Sequence, residues 1–257
     1  MRASLAILAE AVAPSSASDL DDKFLSKLDE SNWLRHLSLL LAASLLAAQK
    51  MHLEEASVLC HCSDGYDRTA QMCSLTQMML DPYYRTIAGF ANLIEKDWCA
   101  FGHKFRDRCG HGLDTTVGAE EKSPIFLQFL DATHQLMHQF PTAFEFSSLL
   151  LVFLADHSTS CLFGNFIGNS YHQRIVELNV VENTRSIWSV VLSHQEVFTN
   201  RRYRLYELPI WPDVSLKSMV LWSRYFLRWE IRCHPKLLPG CEDEAWRDFW
   251  DDLALLP

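Results

Sequence analysis

The sequence predicts an α/β fold: a central sheet flanked by helices, with more helix in the C-terminal half. Three adjoining features carry that reading. The apolar run Ala56-Ser57-Val58-Leu59 has the look of a short buried strand. A tight loop follows, Cys60-His61-Cys62-Ser63-Asp64-Gly65-Tyr66-Asp67-Arg68-Thr69. The run from Thr69 to Leu75 then reads as the first turns of a helix that continues to Leu80.

The other elements follow in order. Residues 1–13 read as a helix, and 14–22, rich in Pro, Ser and Asp, as a loop. Ser31 is placed to cap a helix over 32–50, whose apolar residues recur at helical spacing. Its most apolar part, Leu37 to Ala48, is expected in the core. Asp81-Pro82 breaks the chain before a helix from Tyr84 to Asp97. Residues 110–122 form a polar loop. Ser123-Pro124 starts a helix that ends near Phe140-Pro141, and another runs over 147–157. Residues 161–171 are irregular. Helices are expected over 184–193 and 215–232, with Trp222 and Trp229 on one buried face, and an acidic amphipathic helix over 242–255.

Composition bounds the answer. With 257 residues, 49% of them hydrophobic and 21% charged, the chain suits one globular domain or two small ones with a sizeable core. The formal charge is −9, and no nucleic-acid partner is expected. The eight cysteines have no framework spacing, so structural disulfides are not expected, and a reactive thiolate calls for a reducing compartment, the cytosol. No run reaches the ~18 apolar residues of a spanning helix. Residues 1–13 faintly mimic a signal peptide, but Glu10 interrupts the apolar part and secretion would oxidise the thiol. An amphipathic helix is the better reading.

The loop's residue types point to phosphate chemistry. A strand, a tight turn and a helix N-terminus direct backbone N–H groups and a positive dipole end at one spot. Such a setting lowers a thiol from about 8.5 toward roughly 3.5–7.5, which would make Cys62 a nucleophilic thiolate. Arg68 brings a planar fork for two phosphoryl oxygens. Gly65 permits the sharp turn. The Thr69 hydroxyl is placed to donate to the thiolate, and Asp67 to protonate a leaving oxygen. Cys60 and Cys62 are too close in sequence for a zinc pair, so no metal is expected. Downstream, Lys104, Arg106 and Arg108 form a basic cluster among Phe101, His103, Phe105 and His111, a local positive patch on an acidic chain.

Residues 61–69 resemble the His-Cys-Ser-Asp-Gly-Trp-Asp-Arg-Thr signature of the myotubularin-type phosphoinositide 3-phosphatases, with Tyr66 at the tryptophan position. The resemblance continues through Asp81-Pro82-Tyr83-Tyr84-Arg85-Thr86, Glu95-Lys96-Asp97-Trp98, Phe101-Gly102-His103-Lys104-Phe105 and Asp107-Arg108-Cys109-Gly110-His111. It includes Ser123 to Asp131 and Phe140 to Phe146, and covers about Phe24 to Trp188.

That resemblance implies a partial phosphatase domain over 1–257: a core at about 24–188, a C-terminal helical part at 189–257, a cysteine-phosphatase-like central sheet and truncation at the N-terminus. It implies removal of the 3-phosphate from phosphatidylinositol 3-phosphate and phosphatidylinositol 3,5-bisphosphate through a cysteinyl-phosphate, without a cofactor. Cys62 would be the nucleophile, Arg68 the phosphate clamp and Asp67 the general acid. Ser63, Asp64, Gly65, Tyr66 and Thr69 would shape the pocket, and Lys104 and Arg108 would grip a second phosphate. The protein would be cytoplasmic and peripheral on endosomal-type membranes, where it meets the phosphoinositide headgroup, and would associate with itself or other myotubularin-like chains. A non-catalytic adaptor and a protein tyrosine phosphatase are the competing readings. The intact Cys62, Asp67 and Arg68 favour chemistry over the first, and the downstream basic residues favour a lipid headgroup over the second.

Overall fold

The computed structural model describes residues 1–13, 21–111, 118 and 120–228. Up to residue 160 its α-helices are α1 (Arg2–Val12), α2 (Asp21–Ser31), α3 (Trp33–Leu53), α4 (Arg68–Leu80), α5 (Ile87–Ile94), the single-turn α6 (Phe105–Cys109), α7 (Ile125–Gln139) and α8 (Ser148–Ser160). Four short pieces complete it: α9 (Val180–Asn183), α10 (Ile187–Ser193), α11 (Gln195–Phe198) and α12 (Ser223–Phe226).

The predicted central sheet is not there. Among the described residues β-pairing is confined to two isolated bridges, Phe146 with Thr199 and Phe163 with Arg185. The expected strand, Ala56–Leu59, is irregular and exposed, with Leu59 88% exposed. The reason is that strands are stable only when paired and covered. No other described segment lies alongside this one, and the Ala56 amide bonds back to the Lys50 carbonyl at the end of α3 (3.1 Å).

The helices follow the predicted pattern more closely. The amide of Trp33 donates to Ser31 Oγ (3.1 Å), and Asn32 takes a left-handed conformation between α2 and α3. One face of α3 is buried through Trp33, Leu37, Leu41, Ala47 and Ala48, while Leu39 and Leu46 stay exposed. The helix expected over Tyr84–Asp97 is split. A 3₁₀ turn over Pro82–Arg85 precedes α5, and a wider π turn over Glu95–Ala100 follows it. Of the helix expected over 215–232, the described part holds only a 3₁₀ turn at Leu216–Ser218 and α12. Trp222 is buried there as expected. Trp229, the helix over 242–255 and most of the loop over 14–22 lie outside the described residues.

The core is an aromatic stack between α5, the π turn and α7. Trp98 meets Phe126 at 5.0 Å and Phe129 at 4.8 Å, and Phe90 stacks on Phe146 at 4.4 Å. Such pairs add about 0.5–1.5 kcal/mol each beyond their burial. Two indole N–H groups inside are paired: Trp33 Nε1 donates to Asp131 Oδ2 (2.7 Å) and Trp98 Nε1 to Ser74 Oγ (3.1 Å). Arg85 is buried and donates to the carbonyls of Tyr206 and Leu208, so it holds a loop in place.

One close approach fixes how α5 meets the turn before it. A Cβ on Gly89 would lie 1.8 Å from the Tyr83 carbonyl oxygen. Gly89→Ala is therefore expected to destabilise the chain by about 2–3 kcal/mol, because a backbone atom cannot step aside as a side chain would. A thermal melt that matches the wild type would refute this.

Candidate active site

The loop over Cys62–Asp67 runs straight into the N-terminus of α4, with Asp67 at its N-cap position. Gly65 makes the turn at φ +87°, a conformation that disfavours any side chain even though the space around it is open. The turn brings the Gly65 amide to Cys62 Sγ (3.2 Å). Thr69 Oγ1 and the amides of Gly65, Asp64 and Thr69 surround the sulfur. The Thr69 hydroxyl has the largest influence; slight burial opposes it, the three amides reinforce it, and the thiol is pulled down to about 7. Burial pushes Cys73 and Cys109 the other way, up to about 12. Cys62 is therefore substantially ionised near neutral pH.

Arg68 lies back over the loop. Its Nη2 donates to Ser63 Oγ (3.2 Å), and that hydroxyl donates to Asp64 Oδ2 (2.8 Å). This chain of bonds holds an exposed guanidinium beside the cup that a phosphoryl group would fill.

Asp67 is held from the other side. Arg108 Nε donates to its Oδ2 (3.0 Å), and His103 Nδ1 lies 3.0 Å from its Oδ1. Burial raises the carboxyl, but the His103 hydrogen bond and charge, with Arg108, outweigh it, and Asp67 sits below the ordinary carboxylate range. Arg108 also donates to the Glu121 carbonyl (2.8 Å) and carboxylate (2.6 Å). It is thus already engaged, and would have to release a carboxylate to reach a second phosphate. Lys104 Nζ sits 4.9 Å and the Arg108 guanidinium carbon 5.7 Å from the centre of the Tyr66 ring, so one aromatic ring gathers both cations beside the loop.

All of the residues predicted from the sequence therefore meet around one loop. Two more belong with them. His103 is fully buried, and its Nδ1 is also 3.0 Å from the Tyr66 carbonyl oxygen. The π turn places it, through a bond from the His103 amide to the Trp98 carbonyl (2.9 Å). Glu121 is the second, as the counter-ion of Arg108. A histidine inside the aromatic run Phe101–Phe105 was a signal for the first. Nothing local marks Glu121.

The Myotubularin-like phosphatase domain profile matches residues 1–175. Phosphatidylinositol-3,5-bisphosphate 3-phosphatase MTMR2 of Mus musculus is 46% identical over 237 residues, covering 92% of this chain and 36% of that protein. Myotubularin of Xenopus tropicalis is 43% identical over 233 residues, 90% of this chain and 38% of that protein. Myotubularin of Rattus norvegicus is 45% identical over 210 residues, 81% of this chain and 35% of that protein. The chain thus spans little more than a third of the length of these relatives.

Proposed function

Because this chain belongs to the myotubularin-like phosphatase domain family, we propose that it removes the 3-phosphate of phosphatidylinositol 3-phosphate and phosphatidylinositol 3,5-bisphosphate through a cysteinyl-phosphate. The carrying observation is the Cys62 sulfur set among the Thr69 hydroxyl and the loop amides, which lower its pKa, beside a guanidinium held in place. Cys62 attacks phosphorus. Arg68 and the loop amides take the charge that develops on the phosphoryl oxygens. Asp67 gives its proton to the leaving inositol oxygen and later receives one from the attacking water. Lys104 and Arg108 supply positive charge for a second headgroup phosphate.

In this reading the substrate is met at a cytoplasmic, endosomal-type membrane surface; no described helix is long and apolar enough to cross a bilayer. Self-association, or pairing with other myotubularin-like chains, fits the exposed Leu39, Leu46, Leu53 and Leu59.

The test is phosphate release from the dihexanoyl forms of both lipids, compared with phosphatidylinositol 4-phosphate and a phosphotyrosyl peptide. Release from the 3-phosphorylated lipids is expected to dominate. A folded wild-type chain that releases nothing would favour the adaptor reading, and a preference for the peptide would favour a protein phosphatase.

Tyr66→Leu removes the ring under Lys104 and Arg108. Cation–π contacts at exposed sites contribute about 0.5–1 kcal/mol each. KM for the bisphosphate is expected to rise about threefold to tenfold while kcat stays within about twofold. A fall in kcat alone would show that the ring serves the chemistry and not the grip.

A further inference from the structure

A cavity lies at the far end of α7. That helix begins beside the loop helix, where Gln71 Nε2 donates to the Ile125 carbonyl (2.9 Å) and to Gln128 Oε1 (3.0 Å). His134 stands nine residues further on, about 14 Å along the axis at roughly 1.5 Å per residue. Here a space of about 520 Å³ opens between the end of α7, the start of α8 and α12. Its volume falls in the range of small-molecule sites, roughly 300–1,000 Å³.

The lining has one sign of charge. That charge comes from Arg202 and Arg224, and no carboxylate is among its lining residues, in a chain whose net charge is −9. Neither Arg202 nor Arg224 has an ion-pair partner among the described residues. The N-terminus of α8, a helix of 13 residues, points the same way through Ser147 and Ser148. Two buried polar atoms in the lining, Ser147 Oγ and His134 Nδ1, have no hydrogen-bond partner. Ser147 stands at the N-cap of α8 yet makes no capping bond. Met137, Phe140 and Phe144 supply an apolar wall.

Unspent guanidinium groups, a helix N-terminus and orphaned polar atoms around an apolar wall describe a ligand with an anionic head and an apolar stem. Two arginines balance two negative charges, which suits a phosphomonoester better than a carboxylate. We propose that this cavity binds a small phosphomonoester on an apolar stem, at a site separate from the Cys62 loop. His134 presents its ring as a neutral imidazole, because burial, then the nearby His138, lowers it to about 4. It is stacked 5.4 Å from Trp222, whose Nε1 donates to Ser148 Oγ (3.1 Å), so the polar wall is fixed in place.

The test is calorimetric titration with dihexanoyl phosphatidic acid, with dihexanoylglycerol as the uncharged comparison. The acid is expected to bind the wild type in the micromolar range and the neutral lipid at least about tenfold more weakly. The double variant Arg202→Glu/Arg224→Glu changes exposed side chains only. It is expected to keep the wild-type melting temperature and to lose at least about tenfold in affinity. Arg68→Met, which removes the clamp of the Cys62 loop, is expected to bind as the wild type does. Absence of binding, equal binding of the neutral lipid, or unchanged affinity in the double variant would overturn the proposal. So would loss of binding in Arg68→Met, which would assign the ligand to the loop.

Discussion

Cys62→Ser is expected to lower phosphate release by at least about 10⁴-fold, close to 5 kcal/mol of transition-state stabilisation. The Thr69 hydroxyl, with the loop amides, pulls a thiol down to about 7, but a hydroxyl starts so much higher that the same surroundings leave it protonated. The substitution replaces sulfur by a smaller oxygen in a half-buried position within the loop, so the melting temperature should move by less than about 2 °C. Stopped release with an unchanged melt locates the loss in the chemistry. Release that persists in the serine variant would mean that another group attacks phosphorus.

Asp67→Asn carries the second-largest effect. Loss of a general acid is expected to cost about 10²–10³-fold in kcat. The shape of the pH profile is the more discriminating readout. Turnover needs Cys62 ionised and Asp67 protonated, yet the carboxyl lies below its ordinary value while the thiol titrates near 7. Below pH 7 the thiolate grows with pH as fast as the protonated acid shrinks, so kcat/KM is level there. Above pH 7 the thiolate is complete and only the acid is lost, so the wild type should decline about tenfold per pH unit. Asparagine has no proton to lose. The variant should instead rise up to about pH 7 and stay flat above it. A basic decline retained in Asp67→Asn would rule Asp67 out as the proton donor.

The same carboxyl gives stability a pH dependence of known sign. Its folded pKa is depressed, so its contribution is fully present above the unfolded value of about 3.8 and is lost as pH falls below that. The gap in melting temperature between wild type and Asp67→Asn should therefore be widest near neutrality and narrow in acid. This separates the structural part of the substitution from the catalytic part.

The loop was legible in the sequence because everything it needs is local. Cys62, Gly65, Arg68 and Thr69 meet through one turn and one helix start. The helices α3, α7 and α8 were legible for a similar reason, since spacing along a single segment reports which face is buried. The sheet was misread because an apolar run shows only that a segment could pair. Ala56–Leu59 has the composition of a strand, but pairing depends on residues elsewhere in the chain. As partners within the site, His103 and Glu121 escaped notice on the same grounds. They reach Tyr66 and Arg108 across 37 and 13 positions, and the π turn that delivers His103 has no simple sequence signature. The split of the helix expected over Tyr84–Asp97 was missed too: Thr86 starts α5 as an extended cap whose hydroxyl accepts from the Gly89 amide, and the π turn beyond α5 carries Trp98 in the aromatic stack.

The two flanks of the loop differ in how firmly they are tied. Downstream, α4 is anchored through Gln71 and Ser74 in the core. Upstream, residues 55–59 are all exposed, and among the described residues their one hydrogen bond runs from the Ala56 amide to the end of α3. A cup fastened along one edge has few contacts to resist local opening on the other. An oxyanion that settles into it then acts as the missing fastener, and the ordering of that edge is an entropic cost charged against affinity. Vanadate binding should accordingly be driven by heat release and opposed by entropy, and it should slow amide exchange across residues 56–60 far more than within α4.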